Sequence, residues 1–134
     1  MTTAVEVAEK GHQLAAWVNF NGTLAMTVGS SYGPDAPPAD YSSPNPIRAA
    51  YNVASITDNG TANYTVNFAT AMPDANYVVT GTAAEPGANN PHVLVVNVVQ
   101  DVEYAPTASG FRISALEPGV AWGDAKYFQI AVFR

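Results

Sequence analysis

Apolar and polar residues alternate in the middle of the chain, on either side of a turn sequence. In Tyr64–Phe68 the apolar side chains occupy every second position, which is typical of an antiparallel strand with one buried face. The preceding segment, Tyr51–Thr57, is rich in aromatic and β-branched residues. Between them, the sequence DNGT at 58–61 contains an Asn-Gly pair, which supplies the positive φ that a hairpin turn requires. The stretch therefore predicts a β-hairpin.

The first strand of this hairpin is less regular than the second. Tyr51 and Val53 share one face, whereas Ile56 has the opposite parity. A β-bulge near Ala54 or Ser55 would place all three on the core side. Because a lone hairpin is barely stable in water, the rest of the chain must cover its apolar face.

Further segments are predicted to be strands from their alternation or from their β-branched and aromatic content. They are Leu14–Phe20, Leu24–Val28, Ala75–Thr82, His92–Gln100, Gly110–Leu116 and Ala125–Arg134. Together with the hairpin they predict an all-β fold of about eight strands, an antiparallel, jelly-roll-like β-sandwich. We expect residues 15–134 to form a single domain, and residues 1–14 to form an N-terminal arm or anchor, or else a frayed terminus.

Two of the predicted strands carry apolar residues on both faces. In Ala125–Arg134, for example, Phe128 and Ile130 lie on one face, while Tyr127 and Phe133 lie on the other. A small antiparallel sheet normally exposes one face to water. The second apolar faces of this strand and of the 92–100 strand therefore predict cover by another layer or another chain, and we expect an oligomer.

Two stretches of the sequence resemble a module that recurs in bacteriophage tail fibres and related virion proteins. They are AWVNFNGT at 16–23 and YNVASITDNGTANYTVNFATAMPDANYVV at 51–79. The resemblance covers roughly half of the chain. It implies a β-rich, trimeric virion component without catalytic residues, made in the cytoplasm of the bacterial host and located in the virion.

Composition narrows the possible partners. Charged residues make up 12% of the chain, about half of the usual share, so much of the surface is expected to lie against other chains. The net charge of −6 argues against nucleic-acid binding. Cysteine is absent, which excludes disulfides and thiol nucleophiles. The longest apolar run, Val93–Val99, is too short to span a bilayer, so membrane insertion is not expected.

The candidate catalytic and metal-binding patterns are weak. The sequence GSSYG at 29–33 fits G-x-S-x-G, but the prolines that follow prevent the helix that a nucleophile elbow requires. His12 and His92 do not belong to a ligand pair with metal-site spacing. Asp101 and Glu103 could form a carboxylate pair, although a solvated sheet edge explains them more simply. We therefore expect no enzyme, no metal site and no cofactor.

Two loops are the candidate recognition elements. The loop at 29–46 holds five prolines, and a loop of this length in a small domain is usually functional or disordered. The second loop spans 117–124. Aromatic rings and carboxylates in such loops suit contacts with sugars or proteins, although the tyrosines could instead fix the first loop to a subunit and the tryptophan could cap the sandwich. The candidate receptor- or partner-contacting residues are Tyr32, Asp35, Asp40, Tyr41, Trp122 and Asp124.

These observations lead to two hypotheses of function. The first is a tail fibre or spike component that assembles as a homotrimer and attaches the particle to a glycan or protein of the host surface, with avidity from three sites. The alternative is a head decoration or adaptor protein with a purely structural role. In both cases the arm at 1–14 is expected to bind other virion proteins.

Overall fold

The computed structural model describes residues 13–26, 46–84, 91–96, 104–116 and 123–134, and for 91–96 it describes the backbone. Within these ranges the chain forms β-strands and no α-helix, so no helix there could cross a membrane. The strands are β1 (Leu14–Phe20), β2 (Ile47–Tyr51), β3 (Val53–Asp58), β4 (Asn63–Phe68), β5 (Val78–Ala84), β6 (Pro91–Val96), β7 (Gly110–Leu116) and β8 (Tyr127–Phe133).

All strand pairs are antiparallel, in the order β2-β1-β8-β5-β6-β7-β4-β3. The ladder is divided into a layer of four strands, β2-β1-β8-β5, and a layer of three, β7-β4-β3. β6 pairs with β5 of the first layer and with β7 of the second, so it connects them. The predicted all-β antiparallel sandwich of eight strands is therefore confirmed.

The alternation in the sequence matches the buried faces. In β4, Tyr64, Val66 and Phe68 are all buried, as their spacing predicts. The corresponding inward positions of β1 and β8 are buried as well: Ala16, Val18, Phe20, Phe128, Ile130 and Val132. The core thus lies between the two layers.

Two aromatic clusters occupy opposite ends of β4. In the first, the rings of Phe20 and Phe128 stack with centroids 4.5 Å apart, and Tyr64 meets both edge-on. In the second, Phe68 packs against Tyr77 and Phe111. The first cluster joins one end of β4 to the opposite layer, and the second joins the other end to β7 and to the segment before β5. Offset and edge-on aromatic pairs stabilise a core beyond the effect of burial alone.

Between β2 and β3 the chain passes from one layer to the other through a single residue, Asn52. It has a positive φ of 52° and separates β2 from β3. Its amide Nδ2 donates to the carbonyl oxygens of Ala15 and Thr70, and its Oδ1 accepts from the Thr70 N–H at 2.7 Å. The Asn side chain therefore supports both a left-handed backbone, which Asn tolerates better than most residues, and the corner between the layers.

This corner corrects one prediction. Tyr51 was expected on the core side with Val53 and Ile56, but it is 49% exposed while the other two are buried. The positive φ at Asn52 turns the chain between layers, so Tyr51 and Val53 do not share a face. The predicted bulge is confirmed, since the β3–β4 register shifts between Val53 and Ser55.

Other segments differ from the predictions. The return strand expected at Leu24–Val28 is wrong for residues 24–26, which belong to no strand, and residues 27 and 28 lie outside the described ranges. The turn there is set by Asn21, whose Oδ1 accepts from the Thr23 N–H and hydroxyl. β2 was not predicted. Of the arm predicted at 1–14, residues 1–12 lie outside the described ranges, and Leu14 is the first residue of β1. Residues 97–100 and the side chains of the 92–96 part of β6 also lie outside the described ranges.

Candidate functional site

The structure describes one of the six candidate contact residues. Asp124 is the last residue of the second candidate loop and precedes β8, whereas the others lie outside the described ranges. Those others are Tyr32, Asp35, Asp40, Tyr41 and Trp122. Their proposed contacts stay predictions.

Asp124 has a role inside the chain. Its Oδ1 accepts hydrogen bonds from the Ala62 N–H at 2.6 Å and from the Tyr64 hydroxyl at 2.7 Å. Ala62 is fully buried with a positive φ of 61°, and its carbonyl oxygen accepts from the Ala115 N–H. The carboxylate thus supports a left-handed alanine in the β3–β4 connection, where Asn-Gly alone was expected to supply the turn.

The Tyr64 hydroxyl also joins the turn after β1 to this connection. It lies 2.8 Å from the carbonyl oxygen of Gly22, so its proton is shared between that oxygen and Asp124. A Cβ on Gly22 would lie 2.7 Å from the Phe128 ring and 2.7 Å from the Tyr64 oxygen. Glycine is required there because the turn, the aromatic ring and the hydroxyl approach one another too closely for a side chain.

The buried Tyr64 and the partly buried Tyr77 make the fold sensitive to alkali. Burial, followed by the hydrogen bond to Asp124, raises the pKa of Tyr64 well above its ordinary value. Burial raises the pKa of Tyr77 to about 12, from an ordinary value of 10.0. Since the unfolded chain loses these protons first, the free energy of unfolding should be constant below about pH 10 and fall as the pH rises through 12.

Circular dichroism at a fixed urea concentration, between about pH 8 and pH 12.5, would measure this loss of folding stability. The range brackets tyrosine ionisation, which occurs at about pH 10 in model peptides. The Tyr77→Phe variant should show a shallower alkaline decline, because one of the two shifted groups is gone. A stability that does not change up to pH 12.5, well above that value of about 10, would contradict the burial of these hydroxyls.

The outer face of the four-stranded layer exposes large apolar side chains. Strand register places Leu14 and Val78 on either side of Phe133, and these three are 46%, 65% and 37% exposed. In the adjacent row, Trp17 lies between Tyr51 and Ala131. Among the described residues, five of the six exposed large apolar side chains belong to this face, which we call the apolar outer face: Leu14, Tyr51, Val78, Tyr127 and Phe133.

The middle of the apolar outer face is lined by both apolar and polar side chains. A depression of about 330 Å³ lies over its centre, with Trp17, Thr80 and Ala131 in its lining. At one side the Arg48 guanidinium stacks on the Tyr127 ring, 4.6 Å from its centroid, and donates to the Asn19 side chain and the Lys126 carbonyl. In the strand register Leu14, Val78 and Phe133 are next to Trp17 and Ala131, whereas Asn19 and Gln129 lie between this group and Tyr127. A group of exposed apolar side chains of this kind often marks an interaction surface.

Part of the apolar outer face can be predicted from the sequence. The apolar second face of β8 is recognisable from Tyr127 and Phe133, and the alternation along β1 places Trp17 on the face opposite Ala16 and Val18. The sequence does not give the order of the strands, and only the pairing of β1, β5 and β8 brings these residues onto one face. No group of three or more potential metal ligands occurs among the described residues.

Comparison with known proteins gives no relative. No protein-family model matches the chain, and neither a curated protein nor a solved structure matches it.

Proposed function

We propose that the chain is a structural component of a bacteriophage virion, a tail fibre or spike module that forms a homotrimer and takes part in attachment to the host surface. The sequence resemblance at 16–23 and 51–79 supports the virion assignment, and the β-sandwich is compatible with it. The observation that carries the assembly is the apolar outer face, which has no cover among the described residues of the chain itself.

The apolar outer face is proposed as the surface on which the copies meet. Burying a large apolar side chain fully contributes about 1.5–3 kcal/mol, and Val78, Phe133 and Leu14 are all more than one-third exposed. The chain also carries few charged residues, at 12%. Interfaces of permanent oligomers have such apolar, weakly charged centres.

The native mass in solution tests the assembly. The intact chain should elute as a trimer in size-exclusion chromatography with light scattering, and the double variant Val78→Ser, Phe133→Ser should elute as a folded monomer. Tyr104→Ser is the control, because Tyr104 is exposed to a similar extent, 38%, but belongs to the other side of the molecule. A monomeric intact chain, or a double variant that stays trimeric, would refute the proposed interface.

A second experiment separates attachment from decoration. Particles carrying Tyr32→Ala, Tyr41→Ala and Trp122→Ala should assemble normally and lose adsorption to the host if these loops recognise a receptor. Unstable particles with normal adsorption would instead indicate the alternative, a head decoration or adaptor protein.

A further inference from the structure

A second surface, on the other layer of the sandwich, has the opposite character. The outward positions of β4 are Asn63, Thr65 and Asn67, and the neighbouring outward position of β7 is Arg112. Thr65, Asn67 and Arg112, together with Asn59 and residues of the segment 104–109, line an open groove of about 340 Å³. We call it the polar groove. Among its described lining residues, Arg112 is the only charged one.

The neutral side chains of the polar groove are held in place by one another. Asn59 Nδ2 donates to the Thr65 hydroxyl at 2.8 Å. Asn67 Nδ2 donates to the hydroxyls of Ser55 and Thr57 at 3.1 and 3.0 Å. In both amides the NH₂ group is thus engaged, and within the described part of the chain no donor reaches either carbonyl oxygen. Two fixed acceptors therefore remain for the hydroxyl groups of a ligand.

Arg112 is also fixed in position. Its Nε donates to Asn63 Oδ1 at 2.6 Å, and its guanidinium stacks on the Tyr104 ring, 4.2 Å from the centroid. The only ion pair between described residues joins Arg134 to Asp74, so no described carboxylate neutralises Arg112. A planar, oriented guanidinium with free terminal nitrogens binds a carboxylate through two parallel hydrogen bonds.

We propose that the polar groove binds a saccharide unit that carries a carboxylate, such as a uronic acid. The Arg112 guanidinium pairs with the carboxylate, and the amide oxygens of Asn59 and Asn67 accept hydrogen bonds from sugar hydroxyls. Because each of these side chains is already ordered by its neighbours, binding loses little side-chain entropy. The site lies within one copy of the chain, so it does not depend on the proposed trimer or on a virion.

Titration of the intact chain with a matched pair of sugars tests the proposal. Methyl glucuronide and methyl glucoside differ in whether a carboxylate or a hydroxymethyl group is attached to the ring, and amide chemical shifts report both affinity and location. The glucuronide should bind about tenfold or more tightly than the glucoside, as expected for a charge-assisted, bidentate pair. The shifted amides should belong to β4, β7 and the 104–109 segment.

The variant Arg112→Gln should lose this preference, and Arg112→Lys, which keeps the charge but not the planar fork, should lose part of it. The control is Arg48→Gln, because Arg48 also stacks on a tyrosine and bonds to an asparagine, but on the opposite layer. Unfolding midpoints show that each variant is folded. Equal binding of both sugars, binding unchanged in Arg112→Gln, binding of neither sugar, or equally tight binding of inorganic phosphate would each overturn the proposal.

Discussion

Replacing Phe128 by alanine is expected to lower the free energy of unfolding by about 3–5 kcal/mol, the range measured for large aromatic residues in cores. Phe128 is fully buried, stacks on Phe20 at 4.5 Å and meets the Tyr64 ring at 5.2 Å. Its loss would leave a cavity between β1, β4 and β8, which the neighbouring rings can fill only in part because the backbones of Phe20 and Tyr64 are held in strand ladders. Urea unfolding followed by circular dichroism would measure the change.

The same strand provides the control for this experiment. Phe133 is also a phenylalanine of β8, but it points outward and is 37% exposed. Phe133→Ala should lower the free energy of unfolding by less than about 1 kcal/mol. Because Phe133 belongs to the proposed interface, Phe128→Ala and Phe133→Ala are compared at a protein concentration at which both have the same native mass. Equal losses in the two variants would show that the inner and outer faces of β8 are wrongly assigned.

Replacing Gly110 by alanine is expected to cost about 1–3 kcal/mol, the range for overpacking, and to lie at its upper end. A Cβ at this position would collide with the backbone carbonyl oxygen of Val66. That oxygen cannot withdraw easily, because Gly110 pairs with Asn67 in the β4–β7 ladder, and the Gly110 carbonyl accepts from the Tyr77 hydroxyl. Relief of the collision would therefore separate two central strands.

Thermal and urea unfolding of Gly110→Ala would be compared with those of Ser109→Ala. Ser109 is the exposed neighbour, and its replacement adds no atoms, so its free energy of unfolding should stay within about 0.5 kcal/mol of that of the intact chain. A fully stable Gly110→Ala protein would mean that β4 and β7 do not approach each other as closely as the structure shows.

The strands that the sequence predicted best are those with period-two alternation. β1 and β7 have the expected bounds, and the inward faces of β1, β4 and β8 follow directly from the pattern. β2 was missed because its sequence, IRAAY, does not alternate clearly and follows a proline-rich stretch. A buried residue such as Ile47 is recognisable only when the partner strand, β1, is known.

The alternation of apolar and polar residues was not enough to predict the candidate surfaces. The alternation identifies Asn63, Thr65 and Asn67 as the solvent-exposed face of β4. A solvent-exposed face and a binding groove, however, produce the same alternation in the sequence. The stacking of Arg112 on Tyr104 depends on how the 104–109 segment turns back, which no local spacing specifies. Asp124 is a candidate because it is a carboxylate close to Trp122 in a loop, whereas its Oδ1 accepts hydrogen bonds from Ala62 and Tyr64.

The corner at Asn52 has a mechanical consequence. β2 and β3 are the two ends of the hydrogen-bonded order, yet they are consecutive in the chain and separated by this one residue. The eight strands therefore form a closed circuit, in which seven links are ladders and the eighth is covalent. Neither outermost strand can peel away without pulling on the other, so the two ends of the strand order should open together rather than separately.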